Sequence, residues 1–543
     1  MYLKNSLIYI NQFFFFIYNL IRKIYLNSNI YNKKISKGNI SDFIYKPSPS
    51  LLDCLVKYSK KKNNISDFSF SDVWSKSNIK EKDFKNLHNF FWLFTLDLNS
   101  SKKEVQSIIS SWININNKYN YQSWNTDTLS KRIISWISNS KITYENSNEE
   151  YKKKFNELIK RQINHLMNEI DRSKWIDDKM IGCSAIILTG LAYNNNTRVL
   201  DYGLNLLKKI IKFSFDKNNF PKSRNIRQLN FFLKYFILIR EWLKESQNEI
   251  PEYLDEIIFY LGQAYTLIHK NTHQTFLFNG NQITENLEFE NYLKRLGYSF
   301  KNENFEVGGY IILKNNKYSL AMDVGPAPEK NFSNDYQSGI LSFELVSNKK
   351  KVIVNSGYFQ NSKHQLNFLS KTTACQSTLS VQNHSSVQFN KSPSGSVKID
   401  NSIKVINKNV ISKKNYWSIE ASHDGYNKRF GIIHNRKIEF FLDTGKIIGI
   451  DKIYKKDKFK ESNFEIRFHL NPNTKIMKTQ DGKTIYMDIN NEGWKFSGKN
   501  CIINFETGLF FGIKNKFVEN QNILISGTIN NREQEMIWEL EKI

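Results

Sequence analysis

The chain has 543 residues, of which 40% are hydrophobic and 14% aromatic, so it is long and apolar enough for several buried cores and is not a disordered chain. Its 78 Lys and Arg against 52 Asp and Glu give a net charge of +26, which favours an anionic partner: an acidic polysaccharide, a nucleic acid or a membrane surface. The joint excess of Lys, Asn, Ile, Tyr and Phe also fits a low-GC genome, which explains charge without any partner. No stretch of Lys and Arg interleaved with aromatic residues indicates nucleic-acid binding, and four scattered cysteines form no C-x-x-C pair.

The first segment, SLIYINQFFFFIYNLIRKIYL, contains an apolar run that ends at Arg22 and Lys23. The run is too short to predict a spanning helix, and no small-residue cleavage site of a signal peptide follows it. We interpret it as a membrane-surface or core helix, which leaves membrane association open. A periplasmic or envelope-associated location is favoured.

From about residue 84 to residue 270 the apolar residues recur at helical spacing. Phe90 to Leu96 opens one such block, Ile133 to Ile137 lies in another, and further helices are predicted over CSAIILTGLAY, VLDYGLNLLKKIIKF, LNFFLKYFILIREWL and LDEIIFYLGQAYTLIHK. The polar hook FPKSRN precedes the third of these, and its Ser or Asn is suited to cap that helix. Many helices of similar length indicate stacked hairpins, a bundle or a toroid.

After Gly308 and Gly309 the pattern changes to strands. YIILKNNKYSLAMDVG and GILSFELVSNKKKVIVNSG each contain two alternating runs around a polar turn, and strand-length runs continue to the C-terminus. Many short antiparallel strands predict a sandwich, so the chain reads as a multidomain α+β protein.

Several motifs resemble those of the heparinase II/III-like family. In the β half they are GGYIILKNNKYSLAMDVGPAP, SGILSFELVSNKKKVIVNSG, TTACQSTLSV and SHDGYNKRFGIIHNRKIEF. In the helical half they are LHNFFWLFTLDL, FPKSRN and LFNG, with Trp124 and Trp136. The motifs keep the family's order from about Phe84 to the end of the chain.

The resemblance implies an N-terminal incomplete α/α toroid followed by a C-terminal antiparallel β-sandwich. The domains expected are an extension over residues 1–83, a toroid over 84–280, a linker over 281–306 and a sandwich over 307–543. Characterised members are polysaccharide lyases that act on uronate-containing chains by β-elimination. One group neutralises the uronate carboxylate, a base such as Tyr or His removes the C5 proton, and an acid protonates the departing oxygen.

The hook supplies the candidates for binding the substrate. Ser223, Arg224 and Asn225 lie at a loop–helix junction, where Arg can bind a carboxylate or sulfate through two parallel hydrogen bonds and Asn can donate one. The alternative is a capped helix with an Arg that faces solvent.

Tyr265, His269 and His273 recur at intervals of four, so they share a face if the helix continues. Tyr265 and His269 are candidate base and acid, although His residues near a helix end are more often core or surface residues. A metal pair is a further alternative, but a metal needs a third ligand and no H-E-x-x-H pattern is present, so we expect neither metal nor cofactor.

The β half departs from the family at three positions. Gln337 and Gln376 stand where members usually carry His, and Asn355 stands where zinc-binding members tend to carry Asp. Amides are poor zinc ligands and cannot act as a base near neutral pH. Tyr336 is the remaining candidate base of this segment, and Gln337 is a candidate substrate-binding amide.

Two hypotheses of function follow. The first is a lyase that cleaves uronate-containing acidic glycans by β-elimination. The second is a non-catalytic protein on the same scaffold that binds acidic glycans or belongs to the envelope. Both take an acidic polysaccharide as partner and neither involves nucleic acid.

Overall fold

The computed structural model describes residues 2–38, 43–56, 74, 80–96, 101–194, 197–269, 275–284, 286–391, 397–400, 402–456, 461–499, 501–514 and 516–543. The chain divides into two compact units. Unit 1 comprises Met1–Phe213 and Phe231–Ile258, and unit 2 comprises Ser214–Asn230 and Phe259–Ile543. The FPKSRN hook therefore belongs to the same unit as the sheets. The four domain ranges inferred from the sequence stay a prediction, and the segment taken as a linker contains a helix.

The described helices precede most of the strands, as the sequence predicted. In chain order they are α1 (Tyr2–Leu26), α2 (Asn29–Ile35), α3 (Glu81–His88), α4 (Lys102–Asn116), α5 (Thr126–Ser138), α6 (Ser140–Thr143), α7 (Glu149–Glu169), α8 (Ile176–Ala192), α9 (Thr197–Ser214), α10 (Ile226–Glu245), α11 (Glu252–His269), α12 (Leu287–Arg295), α13 (Gln365–Leu369) and α14 (Asn427–Phe430). The four long apolar runs named above form α8 to α11, because their apolar residues recur every three to four positions. Among the described residues, no helix combines the length and hydropathy needed to cross a membrane.

The block from Phe90 to Leu96 is an exception to the helical prediction. Phe90 has a left-handed backbone with φ 57°, and only Phe91–Thr95 forms a short 3₁₀ helix. The left-handed residue prevents a continuous α-helix. Phe90 instead packs edge-on against Trp112 and Trp136, with ring centroids 5.8 and 5.1 Å away.

Two buried imidazoles lie among the aromatic side chains of unit 1. The Trp112 indole donates to His88 Nδ1 at 3.0 Å, and the Tyr31 hydroxyl lies 2.7 Å from His165 Nδ1. Burial, and then the charges of the nearby Arg132 and Arg22, lower the pKa of His88 and of His165 to about 3. Both side chains are therefore neutral at pH 7 in the folded protein.

This neutrality predicts loss of stability in mild acid. An unfolded histidine titrates near pH 6.5, so the contribution of His165 is fully present above that pH and falls as the pH drops toward 3, by up to about 1.4 kcal/mol per pH unit. We expect the urea midpoint to decrease between pH 7 and pH 5, and H165Q to decrease less steeply. H364Q, at an exposed position, should keep the wild-type slope. Equal slopes for H165Q and wild type would contradict the assignment.

The described strands of unit 2 form two large antiparallel sheets and one β-ribbon. They are β1 (Glu306–Val307), β2 (Tyr310–Lys314), β3 (Tyr318–Asp323), β4 (Phe343–Ser347), β5 (Lys350–Val354), β6 (Leu379–Val381), β7 (Phe389–Lys391), β8 (Val397–Ile399), β9 (Val405–Lys413), β10 (Tyr416–His423), β11 (Ile432–Phe441), β12 (Lys446–Lys455), β13 (Ser462–Leu470), β14 (Lys475–Lys478), β15 (Thr484–Asp488), β16 (Gly493–Lys499), β17 (Ile502–Phe510), β18 (Val518–Ile529) and β19 (Glu533–Lys542). One sheet has the order β1-β2-β3-β4-β5-β13-β18-β17, with β6 also paired to β13. The other has the order β14-β15-β16-β19-β12-β11-β10-β9, and β7 pairs with β8.

The two large sheets share one apolar core. Phe343 of β4 stacks on Trp538 of β19, with ring centroids 5.5 Å apart and planes 12° from parallel. Trp538 lies beside Gly449 of the paired strand β12, where a Cβ atom would come within 2.0 Å of the indole. This sandwich, which follows the helical region along the chain, confirms the predicted fold class.

A buried polar group is embedded in this core. Asp451 accepts hydrogen bonds from Arg436 at 2.8 Å, from the Trp538 indole at 2.9 Å and from His434 at 2.7 Å, while His434 Nδ1 lies 3.3 Å from His423 Nε2. Although burial opposes it, the Arg436 charge holds the pKa of Asp451 well below its usual range. These histidines are packed and hydrogen-bonded core residues of the sandwich.

Candidate functional site

The FPKSRN hook lies in the segment Ser214–Asn230, which begins as a tight hairpin. The Asp216 carboxylate accepts hydrogen bonds at 2.9 Å from the backbone of Asn218 and of Phe220, and the Arg224 amide donates to the Pro221 carbonyl at 2.8 Å. Arg224 has a left-handed backbone with φ 56°, which is costly for a residue with a side chain. Such a conformation persists only where the surroundings stabilise it.

The stabilisation comes from the guanidinium of Arg224. All five of its N–H groups donate hydrogen bonds: to the carbonyls of Gly308 (2.8 Å), Gly309 (3.2 Å), Gly325 (3.2 Å) and Pro326 (3.0 Å) and to the carboxylate of Asp323 (2.5 Å). The guanidinium also stacks 4.7 Å from the Tyr310 ring centre. Burial lowers the pKa of Arg224, but Asp323 raises it more, so the guanidinium is charged. Burial raises the pKa of Asp323, and the charge of Arg224 opposes that shift. Arg224 thus attaches the hook to the loops around β2 and β3.

Asn225 ends the hook and starts α10. Its side-chain oxygen accepts from the amides of Arg227 at 2.8 Å and Gln228 at 3.3 Å, so the predicted cap is confirmed. Ser223 donates to the Gln228 side chain at 2.6 Å. Asn225 also faces Gly280, whose φ is 76° and where a Cβ atom would lie 2.4 Å from the Asn225 amide nitrogen. The glycine therefore leaves room for this amide.

The side-chain amide of Asn225 also belongs to a group that we call the Asp335 cluster: Asn225, Arg227, Asp335, Tyr358 and Lys371. One oxygen of Asp335 accepts from Asn225 at 3.0 Å and from Arg227 at 3.1 Å, and the other accepts from the Tyr358 hydroxyl at 3.0 Å. The Lys371 ammonium lies over the Tyr358 ring, 5.9 Å from its centre. The start of α10 and the loop of Tyr358 thus meet at the carboxylate of Asp335, and the loop of Lys371 covers the Tyr358 ring.

The cluster has a solvent-facing side and a buried side. The side chains of Asp335 and Arg227 are 27% and 36% exposed, whereas Tyr358 and Lys371 are buried. Burial lowers the pKa of Lys371 to about 8, although Asp335 opposes the shift. Burial, and then Asp335, raise the pKa of Tyr358 well above its usual value. The Lys371 ammonium donates to the Asn334 carbonyl. A lysine whose pKa is lowered to about 8 can accept or release a proton near neutral pH, and the neighbouring phenol stays protonated there.

The side chain of Gln337 forms hydrogen bonds with backbone groups of loops next to this cluster. Its side-chain oxygen accepts from the Gly280 amide at 3.0 Å, and its nitrogen donates to the carbonyls of Gly357 at 2.9 Å and Ser370 at 2.7 Å. Its backbone amide donates to Asn279, which in turn donates to Asp323. The structure therefore brings Arg224, Asn225 and Gln337 into one connected network.

The other two departures from the family pattern are also buried. Asn355 accepts from the Ser377 amide at 2.8 Å and contacts Glu344 at 3.3 Å, and Gln376 lies 3.5 Å from the Ser370 carbonyl. In the described part of the chain, no three His, Cys, Asp or Glu side chains are grouped as metal ligands.

The candidate bases occupy different surroundings. Tyr336 lies in the apolar core of the sandwich, where burial raises its pKa and its hydroxyl has no hydrogen-bond partner among the residues that the structure describes. Tyr265 is buried against Phe289, with a raised pKa, and stacks 4.8 Å from His269, whose Nδ1 lies 3.0 Å from the Asn286 amide. His273 lies outside the described residues. The catalytic roles of these three described side chains stay predictions.

Sequence reasoning missed four members of the cluster: Arg227, Asp335, Tyr358 and Lys371. Arg227, Asp335 and Tyr358 each lie within three residues of a hook residue, of Tyr336 or of Asn355, and Lys371 directly precedes TTACQSTLSV, so the motifs lie next to the loops of the cluster. What the sequence lacks is any sign that these loops meet.

Known proteins of similar sequence or fold identify this architecture. Residues 300–539 match the family model described as "Heparinase II/III-like, C-terminal". A crystal structure of heparinase III superimposes with TM-score 0.67 at 13% identity, covering 95% of this chain and 89% of that one. The heparan sulfate lyase HepC of Pedobacter heparinus gives 0.64 at 14% identity, with 94% and 85% covered. A further heparinase III gene product gives 0.68 at 12%, with 95% and 88% covered.

No curated protein matches the chain in sequence. The identities to the solved structures are low, so these structures establish the fold of the helical region and of the sheets. The resemblance inferred from the motifs is confirmed: residues 300–539 match the heparinase II/III-like C-terminal family model, and the chain shares the fold of heparinase III structures.

Proposed function

We propose that the protein is a polysaccharide lyase that cleaves a uronate-containing acidic glycan by β-elimination at the Asp335 cluster. The proposal is carried by one observation: a guanidinium, an amide and a phenol converge on one part-exposed carboxylate, and a lysine with a lowered pKa lies over the ring of that phenol. The polysaccharide-lyase-like scaffold supports it, because HepC, which shares the fold, is a heparan sulfate lyase.

Arg227 is assigned to the acidic sugar. Its guanidinium is part-exposed and donates to Asp335 at 3.1 Å, which restrains the side chain before substrate binds. A guanidinium in a fixed plane can hold a carboxylate or a sulfate through two parallel hydrogen bonds. Neutralising the uronate carboxylate in this way acidifies the proton on C5.

Lys371 and Tyr358 are assigned to proton transfer. The unprotonated Lys371 amine takes the C5 proton, the C5–H electron pair forms the C4=C5 double bond, and the C4–O bond breaks. The Tyr358 hydroxyl gives its proton to the departing glycosidic oxygen. Proton return from the Lys371 ammonium to the Tyr358 phenolate restores both groups, so the cycle requires no external oxidant or reductant.

The test is incubation with heparan sulfate, hyaluronan, alginate and polyglucuronate. We expect ultraviolet absorbance from the new C4=C5 bond with at least one of them, together with shorter chains by mass spectrometry. The absence of unsaturated products from all four substrates between pH 7 and pH 9 would overturn the proposal.

A second candidate is a non-catalytic glycan-binding protein, favoured by the three amides at Gln337, Asn355 and Gln376. Their side chains brace the backbone and supply no titratable group. In that case the protein should be retained on immobilised heparan sulfate and leave the chain length of the glycan unchanged. Any unsaturated product would exclude this candidate.

A further inference from the structure

Helix α1 has two opposite faces with different surroundings. Tyr18, Arg22 and Leu26 recur at intervals of four and so share one face. Arg22 forms an ion pair with Glu169, the Arg172 guanidinium donates to the Tyr18 hydroxyl, and Leu26 is buried. This face attaches α1 to unit 1 through the end of α7 and the turn that follows it.

The other face of α1 is apolar and exposed. Phe13, Phe16, Leu20 and Ile24 are spaced by three or four residues, and Phe13, Phe16 and Ile24 each expose between 62% and 66% of their surface. Phe14 beside them is 64% exposed. A contiguous patch of large apolar side chains on the outside of a protein marks a surface that another partner covers.

The charges around this face indicate which partner it is. Residues 1–38 contain no Asp or Glu and six basic residues: Lys4, Arg22, Lys23, Lys33, Lys34 and Lys37. Lys23, Lys33, Lys34 and Lys37 are exposed. Helix α2, which carries two of them, is held in place by the Tyr31–His165 contact and by Asn164, which donates to the Ile35 carbonyl at 2.7 Å. An apolar helix face bordered by lysines complements an anionic lipid surface, where apolar side chains enter the acyl boundary and ammonium groups meet phosphates.

We propose that α1 is an interfacial membrane anchor that lies along the surface of an anionic bilayer, with the Phe13–Phe16–Leu20–Ile24 face in the lipid. The attached face keeps the helix on unit 1 while the apolar face enters the membrane. This inference is independent of the proposed lyase activity and stands whether or not a glycan is cleaved.

The test is co-sedimentation of the full chain with vesicles. Vesicles of phosphatidylcholine with 30% phosphatidylglycerol (about the anionic share that gives a strong surface potential) should bind the protein, and vesicles of phosphatidylcholine alone should bind it at least about tenfold more weakly. High salt should reduce binding to the anionic vesicles, because it screens the lysines. Recovery of the protein in the supernatant with both vesicles would overturn the proposal.

The variant F13S/F16S/I24S removes the apolar face without altering the attached face. We expect its binding to anionic vesicles to fall at least about tenfold. The control I502S/F505S alters two exposed apolar residues of β17, 68% and 48% exposed, and should bind as wild type does. Undiminished binding of the triple variant would overturn the proposal. So would a dimer in light scattering that the triple variant abolishes, since a second copy would then cover the face.

Discussion

Replacing Arg224 by alanine is expected to destabilise the protein by about 3–5 kcal/mol. The substitution removes five hydrogen bonds and leaves Asp323, which is 1% exposed, as a buried carboxylate without its counter-charge. The loss should appear as a lowered urea midpoint of unfolding at pH 7. R224K should lie between wild type and R224A, because an ammonium can pair with Asp323 but has three donors where the guanidinium has five.

Two further variants distinguish the stability contribution of the buried Arg224–Asp323 pair from that of an exposed ion pair. R227A breaks the part-exposed contact with Asp335, which is expected to cost only about 0–1 kcal/mol. R224A/D323N removes both members of the buried pair and should recover part of the stability lost in R224A, because no unpaired charge remains. If R224A and R227A shift the midpoint equally, the attachment of the hook by Arg224 does not stabilise the fold.

The second large effect concerns catalysis at Lys371 and depends on the proposed lyase activity. We expect K371M to lower kcat by roughly 10²–10⁴-fold, the usual contribution of a positioned base. In the wild type, kcat/KM should rise with pH and level off above about 8, because burial lowers the pKa of Lys371 to about 8 and only the unprotonated amine accepts a proton.

The variant K371R distinguishes a base from a fixed positive charge. Arginine keeps the charge next to Asp335 but stays protonated at every accessible pH, so it cannot accept the C5 proton. K371R should therefore be as inactive as K371M, while K363M, at an exposed position of the same segment, should keep wild-type activity and pH profile. An active K371R with an unchanged pH profile would remove Lys371 from the mechanism and leave the elimination itself in place.

Much of the fold could be predicted from the sequence because it depends on local periodicity. The runs that became α9 to α11 are buried at intervals of three to four residues, whereas α8 is buried throughout Met180–Ala192. The runs around Asn315 and Ser347 alternate as strands do. The prediction failed at Phe90, whose left-handed backbone is stabilised by packing against Trp112 and Trp136. Contacts of this kind join distant parts of the chain and leave no periodic signal.

The candidate site was harder to predict for the same reason. The sequence identified Arg224 and Asn225 as a polar pair at a helix start, and Asn225 does cap α10. Arg224, however, meets Asp323, and Asn225 meets Asp335, each about a hundred residues farther along the chain. Neither partner lies in a pattern that local chemistry distinguishes from an ordinary loop.

The attachment of the hook also limits how the β-sandwich can be transferred between proteins by recombination. The family match begins at residue 300, yet the guanidinium that pairs with Asp323 and ties together Gly308 and Pro326 comes from Arg224. A recombination event that moved residues 300–539 alone into another protein would leave Asp323 buried without its partner. A functional transfer of the sandwich must therefore include the hook that carries Arg224. We expect the hook and the sandwich to evolve together.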